Sequence, residues 1–459
     1  MKKQILVCAS VIYACCALVR AQQNIDAYVV NPDSNRFVVV ASTLNSLSSP
    51  MDLDFYPDQS KRPNELWILN QGTFNSGGST VIVSKANQSN RTWKYVKDGN
   101  AWHFMALASS LAFGDSNWTT SQDILDANHS TGKYTGPTLW PGNLSIYGVV
   151  GNPSTTQFNG SHLDMIHQSP YGKGIAFERD NVYWVMSGYD GTIKRYDFNS
   201  DHGPGQADHG DGGVRVYSDF KFTRHSTLPA HIVIDQNRKF LYGCDPIGKR
   251  VFQIDITSGS YNGTIAQINS ETLDGGYYEF RGITMIDTLI KGLVAPVGID
   301  IYGDRLIISD NGTDEIIIYN ISDNFNEVGR IKLTYTANPD PMGIKVGPDG
   351  RIYFVDKTNK KAYMIDNNAV WPLSTKVIDE VDIQIYPNPA ESLIHVELAD
   401  NIVFETGEIQ IQTMLGKTLL SSPVRSVNAV LDISGLQNGI YLIQVRIGTK
   451  VLTQKIIKQ

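Results

Sequence analysis

A strand pattern that recurs along most of the chain constrains its fold more than any other feature. Pro296-Val297-Gly298-Ile299-Asp300-Ile301-Tyr302, a turn, and Arg305-Leu306-Ile307-Ile308-Ser309-Asp310 share a plan with Pro341-Met342-Gly343-Ile344-Lys345-Val346, a turn, and Arg351-Ile352-Tyr353-Phe354-Val355-Asp356. Each runs on into a third apolar stretch, Glu315 to Tyr319 and Lys361 to Ile365. Looser copies begin at Gly174, Pro229, Pro50 and Ser110, which makes six. The alternating, Val-, Ile- and Tyr-rich runs read as short strands separated by polar turns. A repeat of a few strands, each second strand closing in Asp or Asn, is one blade of a propeller. The expected fold class is therefore all-β, a six-bladed β-propeller. A ring must close, and the last copy shows only three strands, so Arg36-Phe37-Val38-Val39-Val40-Ala41 is expected to supply its outer strand.

These copies resemble NHL-type repeats, in which a blade opens Pro-x-Gly-Ile/Val and its second strand closes with Asp; the resemblance runs from about Pro50 to Asp366. With the copies in register, the residues that open the innermost strands are Asp52, Ser110, Gly174, His231, Gly298 and Gly343, a column expected at the mouth of the central channel. His103 and His167 each fall seven residues ahead of this column, and His162 and Asp164 precede His167. Loops of successive blades meet over one channel, so His103, His162, His167 and His231 are candidate ligands for Zn or another divalent metal. The alternative is that these histidines bond loop backbone groups. His231 after Pro229 resembles the arrangement of the peptidyl-hydroxyglycine amidating lyases, which hold zinc with histidines from separate blades; the spacing departs by one position, and Phe177 stands near where another ligand would be. The gluconolactonase-like propellers use carboxylates and amides around one divalent ion, and Asp52, Asp310 and Asn311 are the residues that such a resemblance would draw on.

A second cation candidate is the glycine-loosened loop Asp201 to Gly213, where Asp201, Asp208 and Asp211 suit an oxygen-seeking ion such as Ca²⁺, although a solvated turn uses the same residues. No Gly-x-Ser-x-Gly elbow, His-Glu-x-x-His helix or phosphate-cradling Gly loop occurs. Tyr134, Trp140 and Tyr147, in the insertion from Trp118 to Phe158, either offer aromatic faces to a ligand or pack on their own blade. A formal charge of -7 and the lack of any basic run argue against a nucleic-acid partner.

The two chain ends read as addresses. Met1-Lys2-Lys3, the apolar run Ile5 to Val19 and Ala21 form a signal peptide, residues 1–21; a cut before Cys15 would instead yield a lipoprotein. Only Cys244 is left after that cleavage, read as a small buried strand residue. No other segment is long and apolar enough for a transmembrane helix in the mature chain. Tyr386-Pro387-Asn388-Pro389, the later Gly439-x-Tyr441 strand and the ending around Lys455 resemble the C-terminal sorting domain of the type IX secretion system of Bacteroidetes-type bacteria. That resemblance implies the type IX machinery as partner, a small Ig-like β-sandwich, and a secreted or outer-membrane surface-attached protein whose tail is cleaved and often exchanged for a lipopolysaccharide anchor. The expected domains are the propeller at 22–375, a linker at 376–380 and the sorting domain at 381–459. The expected function is binding of a small-molecule, glycan or protein ligand through the channel face; the alternative is a metal-dependent lyase or lactone hydrolase using the histidines.

Overall fold

The computed structural model describes residues 25–149, 160–206, 209–268, 274–367, 383–398, 407–413, 417–424, 428–447 and 450–459. The signal peptide, Cys15, Asp208 and the linker at 376–380 lie outside the described residues. The chain divides into two compact units, Met1–Val370 and Trp371–Gln459.

The first unit is a six-bladed propeller. After β1 (Asn35–Ala41), blade 1 holds β2 (Pro50–Phe55), β3 (Leu66–Thr73), β4 (Gly77–Ser84) and β5 (Thr92–Val96). A short helix α1 (Ala101–Phe104) leads to blade 2, made of β6 (Ala108–Phe113), β7 (Asn117–Gln122), β8 (Thr138–Pro141) and the two-residue β9 (Asp164–Met165). Blade 3 has β10 (Gly172–Arg179), β11 (Val182–Ser187), β12 (Thr192–Asp197) and β13 (His209–Tyr217). Blade 4 has β14 (Ile232–Asp235), β15 (Phe240–Asp245) and β16 (Arg250–Asp255), then an excursion through β17 (Ser260–Thr264) and β18 (Asp274–Arg281), and finally β19 (Met285–Ile290). The excursion joins the outer edge of blade 3, where β18 runs parallel to β13. Blade 5 comprises β20 (Pro296–Tyr302), β21 (Arg305–Asp310), β22 (Glu315–Asn320) and β23 (Asn326–Lys332). Blade 6 comprises β24 (Pro341–Val346), β25 (Ile352–Asp356) and β26 (Lys361–Asn367). Its fourth strand is β1, antiparallel to β26 with Val38 opposite Met364, so the N-terminal strand closes the ring as its sequence suggests.

Six apolar clusters, one between each adjacent pair of blades, hold the ring. Trp67, Trp118, Trp140 and Tyr147 fill the cluster between blades 1 and 2 with no exposed surface, so two of the three insertion aromatics serve packing and not display. The Asp or Asn that ends a second strand has a backbone task. Asp310 accepts from the amides of Val294 and Ala295, each at 2.8 Å, and Asn70 from Ser48 and Ser49 at 2.9 and 3.3 Å. Each thereby satisfies buried N–H groups in the loop leading into its own blade. Turn chemistry is equally local: Gly303, at φ 59°, opens the two-residue loop across which Tyr302 pairs with Arg305.

The second unit is a two-sheet β-sandwich. Its strands are β27 (Ile383–Tyr386), β28 (Leu393–Leu398), β29 (Gly407–Thr413), β30 (Thr418–Val424), β31 (Asn428–Asp432), β32 (Gly439–Ile447) and β33 (Lys450–Lys458). One sheet is ordered β27-β28-β31 and the other β30-β29-β32-β33, around a core that includes Ile394, Ile409, Ile443 and Ile456. No helix among the described residues is long and apolar enough to cross a membrane.

Candidate functional site at the channel mouth

The column of residues that opens the innermost strands lies where successive blades press together. A Cβ on Gly174 would come within 2.0 Å of the Ala230 carbonyl oxygen, one on Gly298 within 2.3 Å of that of Met342, and one on Gly343 within 2.3 Å of Asp52 Oδ1. These positions are small because the next blade occupies the space. His231 and Asp52, the two large members, link blades. His231 Nε2 bonds the Ser109 carbonyl oxygen of blade 2 at 3.0 Å, and its Nδ1 stands 3.7 Å from Asp52 Oδ1 of blade 1. Asp52 also receives the Leu111 amide at 2.9 Å; burial pushes its carboxyl up, with His231 and Lys345 opposing. Further along the inner strands, Lys345 Nζ lies 3.6 Å from Asp300 and 3.9 Å from Asp54. Burial pulls the Lys345 ammonium down, but Asp54, Asp300 and Asp52 outweigh it and hold it above its ordinary value.

The other candidate histidines do not converge on His231. His103 lies in α1 between blades 1 and 2, with Nδ1 on the Ala127 carbonyl oxygen at 2.8 Å, and burial pulls its imidazole down to about 4. His162 stacks on Phe104 with ring centroids 3.7 Å apart, and His167 meets Tyr134 edge-on at 5.9 Å. The reason is topological: His162 and His167 flank β9, the outermost strand of blade 2, so a position seven residues ahead of an inner strand belongs to the rim of the preceding blade. Asp201 accepts from the Gly203 amide at 2.7 Å and lines a separate cavity of about 660 Å³, whereas Asp211 pairs with His202 at 2.8 Å. Among the described residues, the one group of three or more His, Cys, Asp or Glu side chains with all ligand atoms within 4.8 Å of one another is Asp164, His202 and Asp211. Asn311 bonds Asp340 and the Pro341 carbonyl, and together with the amide-capping Asp310 it serves the blade scaffold. Cys244 is fully buried beside the Gly298 carbonyl, and burial pushes its thiol well up.

The chemistry gathered at the mouth comes instead from residues that the repeat pattern leaves unmarked. Lys173, 1% exposed in β10, bonds Asp123 Oδ2, while Arg224 Nε and Nη2 reach Asp123 Oδ1 at 2.9 and 2.8 Å. Burial pushes the Asp123 carboxyl up, with Lys173 and then Arg224 opposing, and burial pulls Lys173 down to about 8, with Asp123 opposing. Arg224 belongs to the loop between β13 and β14, which crosses the mouth: Arg224 ties it to blade 2, and Leu228 packs into the cluster between blades 6 and 1. Within this loop His225 Nδ1 accepts from the amides of Thr227 and Leu228 at 3.2 and 3.0 Å, so its proton sits on Nε2. Burial, Lys173 and Arg224 all hold that imidazole below its usual value. Beside the loop lies a cavity of about 440 Å³ lined by Ser48, Ser49, Thr227, Leu228, Asp340, Met342, Lys357, Thr358 and Lys360. Lys357 connects cavity and triad, since its field reaches both Lys173 and Asp123. One signal was available in the sequence: Lys173 interrupts the otherwise small or apolar run Gly172 to Phe177 of an inner strand.

In the second unit the Tyr-Pro-Asn-Pro segment is stitched to the last strand. Asn388 Nδ2 donates to the Lys455 carbonyl at 2.9 Å, and its Oδ1 accepts from the Ile457 amide at 2.9 Å. Pro387 and Pro389 flank that bridge. Tyr386 donates to Glu397 at 3.1 Å, and Tyr441, two residues after Gly439, donates to the Gln437 carbonyl at 2.8 Å. Residues 384–459 match the family described as secretion system C-terminal sorting domain. The tail is a sorting domain. The protein is accordingly an exported one, secreted or displayed at the cell surface by the type IX machinery. No curated protein matches the chain. Among solved structures it is similar to an auxiliary nutrient binding protein from Bacteroides thetaiotaomicron VPI-5482, with 12% identity over 70% of this chain and 69% of that one and a TM-score of 0.43. It is also similar to virginiamycin B lyase from Staphylococcus aureus, with 13% identity over 72% of this chain and 98% of that one and a TM-score of 0.39. The propeller assignment rests on the strand pairing described above.

Proposed function

We propose that this exported propeller binds a small ligand bearing a carboxylate or phosphate group at the mouth of its channel. The observation that carries the reading is a local reversal of charge. The chain as a whole is at -7, yet Lys173, Arg224, Lys357 and Lys360 gather at the mouth against Asp123 and Asp340. Half-buried Lys357 and exposed Lys360 line the cavity with one carboxylate, Asp340, and a surplus of cations on a cavity wall favours an anionic guest. Hydroxyl-bearing Ser48, Ser49 and Thr227 line the same cavity, and its volume of about 440 Å³ suits a small molecule. The second reading, a metal-dependent lyase or lactone hydrolase, draws less support, because His231 is bonded to the Ser109 carbonyl while His103, His162 and His167 lie apart from it around blade 2.

Calorimetric titration with a panel of sugar acids, dicarboxylates and phosphate esters tests the reading. At least one class is expected to bind the parent protein and to lose tenfold or more in affinity in the Lys357→Ala, Lys360→Ala double variant. Ligands that bind equally well to parent and double variant, or a panel in which only neutral compounds bind, would refute it.

A further inference from the structure

We propose that Asp164, His202 and Asp211 form a binding site for a borderline divalent cation, Zn²⁺ or Mn²⁺ by chemical class, that joins the rim of blade 2 to the long loop of blade 3. The three ligands come from two blades. Asp164 is fully buried in β9, Asp211 lies in β13, and His202 lies in the loop that leaves β12. The Gly205 amide donates to the His162 carbonyl at 2.8 Å and so carries this loop onto blade 2, beside Asp164.

The ligand atoms all lie within 4.8 Å of one another. Ligands placed about 2.0–2.2 Å from a tetrahedral ion are roughly 3.4 Å apart, so small side-chain rotations bring the set to bonding geometry. His202 Nε2 donates to Asp211 Oδ1 at 2.8 Å. A carboxylate can only accept, so the Nε2 proton stands where an ion would bond; metal binding moves that proton to Nδ1 or to solvent and leaves the Nε2 lone pair for the cation. Outer contacts already orient Asp211, whose Oδ2 accepts from Asn199 Nδ2 at 3.2 Å and from the Ser200 amide at 3.3 Å. A groove of about 270 Å³ lined by Asn199, Asp211, Arg215 and Tyr278 opens on Asp211 and provides a path for the ion and room for water in its remaining coordination positions. One imidazole and two carboxylates suit a borderline ion better than Ca²⁺, which takes six to eight oxygens.

The test uses the full chain, stripped with chelator, and measures binding of Zn²⁺, Mn²⁺ and Ca²⁺ by calorimetry with metal content after gel filtration. One equivalent of Zn²⁺ or Mn²⁺ is expected on the parent, with Ca²⁺ at least tenfold weaker. His202→Ala, whose side chain is partly exposed, is expected to retain the parent's circular dichroism and to lose tenfold or more in affinity; Asp211→Asn provides a second variant should it misfold. Failure of the parent to retain a stoichiometric ion, or undiminished affinity in a folded His202→Ala or Asp211→Asn protein, would overturn the site. Affinity lost in His103→Ala while His202→Ala keeps it would move the ion to the other histidines and overturn it equally. None of these outcomes bears on anion binding at the channel mouth.

Discussion

Replacing Lys173 with methionine removes a buried charge while keeping most of the side-chain volume. Burial pulls the Lys173 ammonium from 10.5 to about 8, with the Asp123 carboxylate opposing. At 1.36 kcal/mol per pH unit, keeping that proton at neutral pH costs the folded state about 3 kcal/mol. That cost is already net of the Asp123 attraction, so methionine relieves it, offset by about 1 kcal/mol for the buried Asp123 oxygen left without its donor, while the two Arg224 bonds to Asp123 remain. Lys173→Met is therefore expected to be more stable than the parent by about 2 kcal/mol at pH 7. The sign then changes with pH. The unfolded chain keeps its Lys173 proton up to 10.5 and the folded chain releases it near 8. Between those values the unfolded state binds more protons, so parental stability rises with pH by up to about 3 kcal/mol. The variant lacks that gain. Lys194, also drawn down to about 8 by burial, contributes the same slope to both proteins and cancels from the difference. Urea unfolding followed by tryptophan fluorescence from pH 7 to 10 should show the two stability curves crossing above pH 8. Parallel curves, or a loss of more than about 2 kcal/mol at pH 7, would refute the reasoning.

Asp123→Asn is expected to cost about 3–5 kcal/mol in the same assay, because it leaves Lys173 and Arg224 facing each other without a counter-charge; a loss below 1 kcal/mol would contradict it. Gly343→Ala should cost roughly 1–3 kcal/mol, since the added methyl meets Asp52 Oδ1 at 2.3 Å, and an unchanged urea midpoint would show that the seam between blades 6 and 1 yields freely. Deleting Arg36 to Ala41 strips β1 from β26 and exposes that edge, so a marked fall in melting temperature is expected; an unaltered melting curve would mean that the ring does not depend on this closure. A chain ending at Val370 should fold and stay in the periplasm of a type IX-competent host, whereas residues 371–459 behind a signal peptide and a reporter should take the reporter to the surface. Surface delivery of the tail-less chain, found by fractionation, would refute the assigned role of the tail.

Blade number, strand order within a blade and the closing role of Arg36 to Ala41 were legible because each depends on information a few residues long: period-two alternation, turn residues and the Asp or Asn that caps the leading loop. The sorting domain was legible for a similar reason, since Asn388 and the final strand carry the bridge between them in recognisable residues. The column from Asp52 to Gly343 was found by register, although its small members answer to the next blade's backbone and not to an open channel.

The contents of the candidate sites required the tertiary structure. Asp123 and Arg224 meet across 101 positions, because the loop between β13 and β14 crosses the mouth, and nothing in its composition states where it lands. His103 and His167 share a spacing with the inner strands, but His103 lies in the helix between blades 1 and 2, and His162 and His167 flank the two-residue outermost strand of blade 2. Blade 4 likewise lends β17 and β18 to its neighbour, a parallel addition that no local pattern announces. The sequence by itself therefore determined the repeating unit, the way the ring is sealed and the export tail, because strand alternation, turn residues and short motifs mark each partner locally even where the contact itself, as between Val38 and Met364 or Asn388 and Ile457, spans a long stretch of chain. Only the tertiary structure decided which charges share a cavity and which ligands approach one another, because those distances depend on how far each loop travels before the next blade begins.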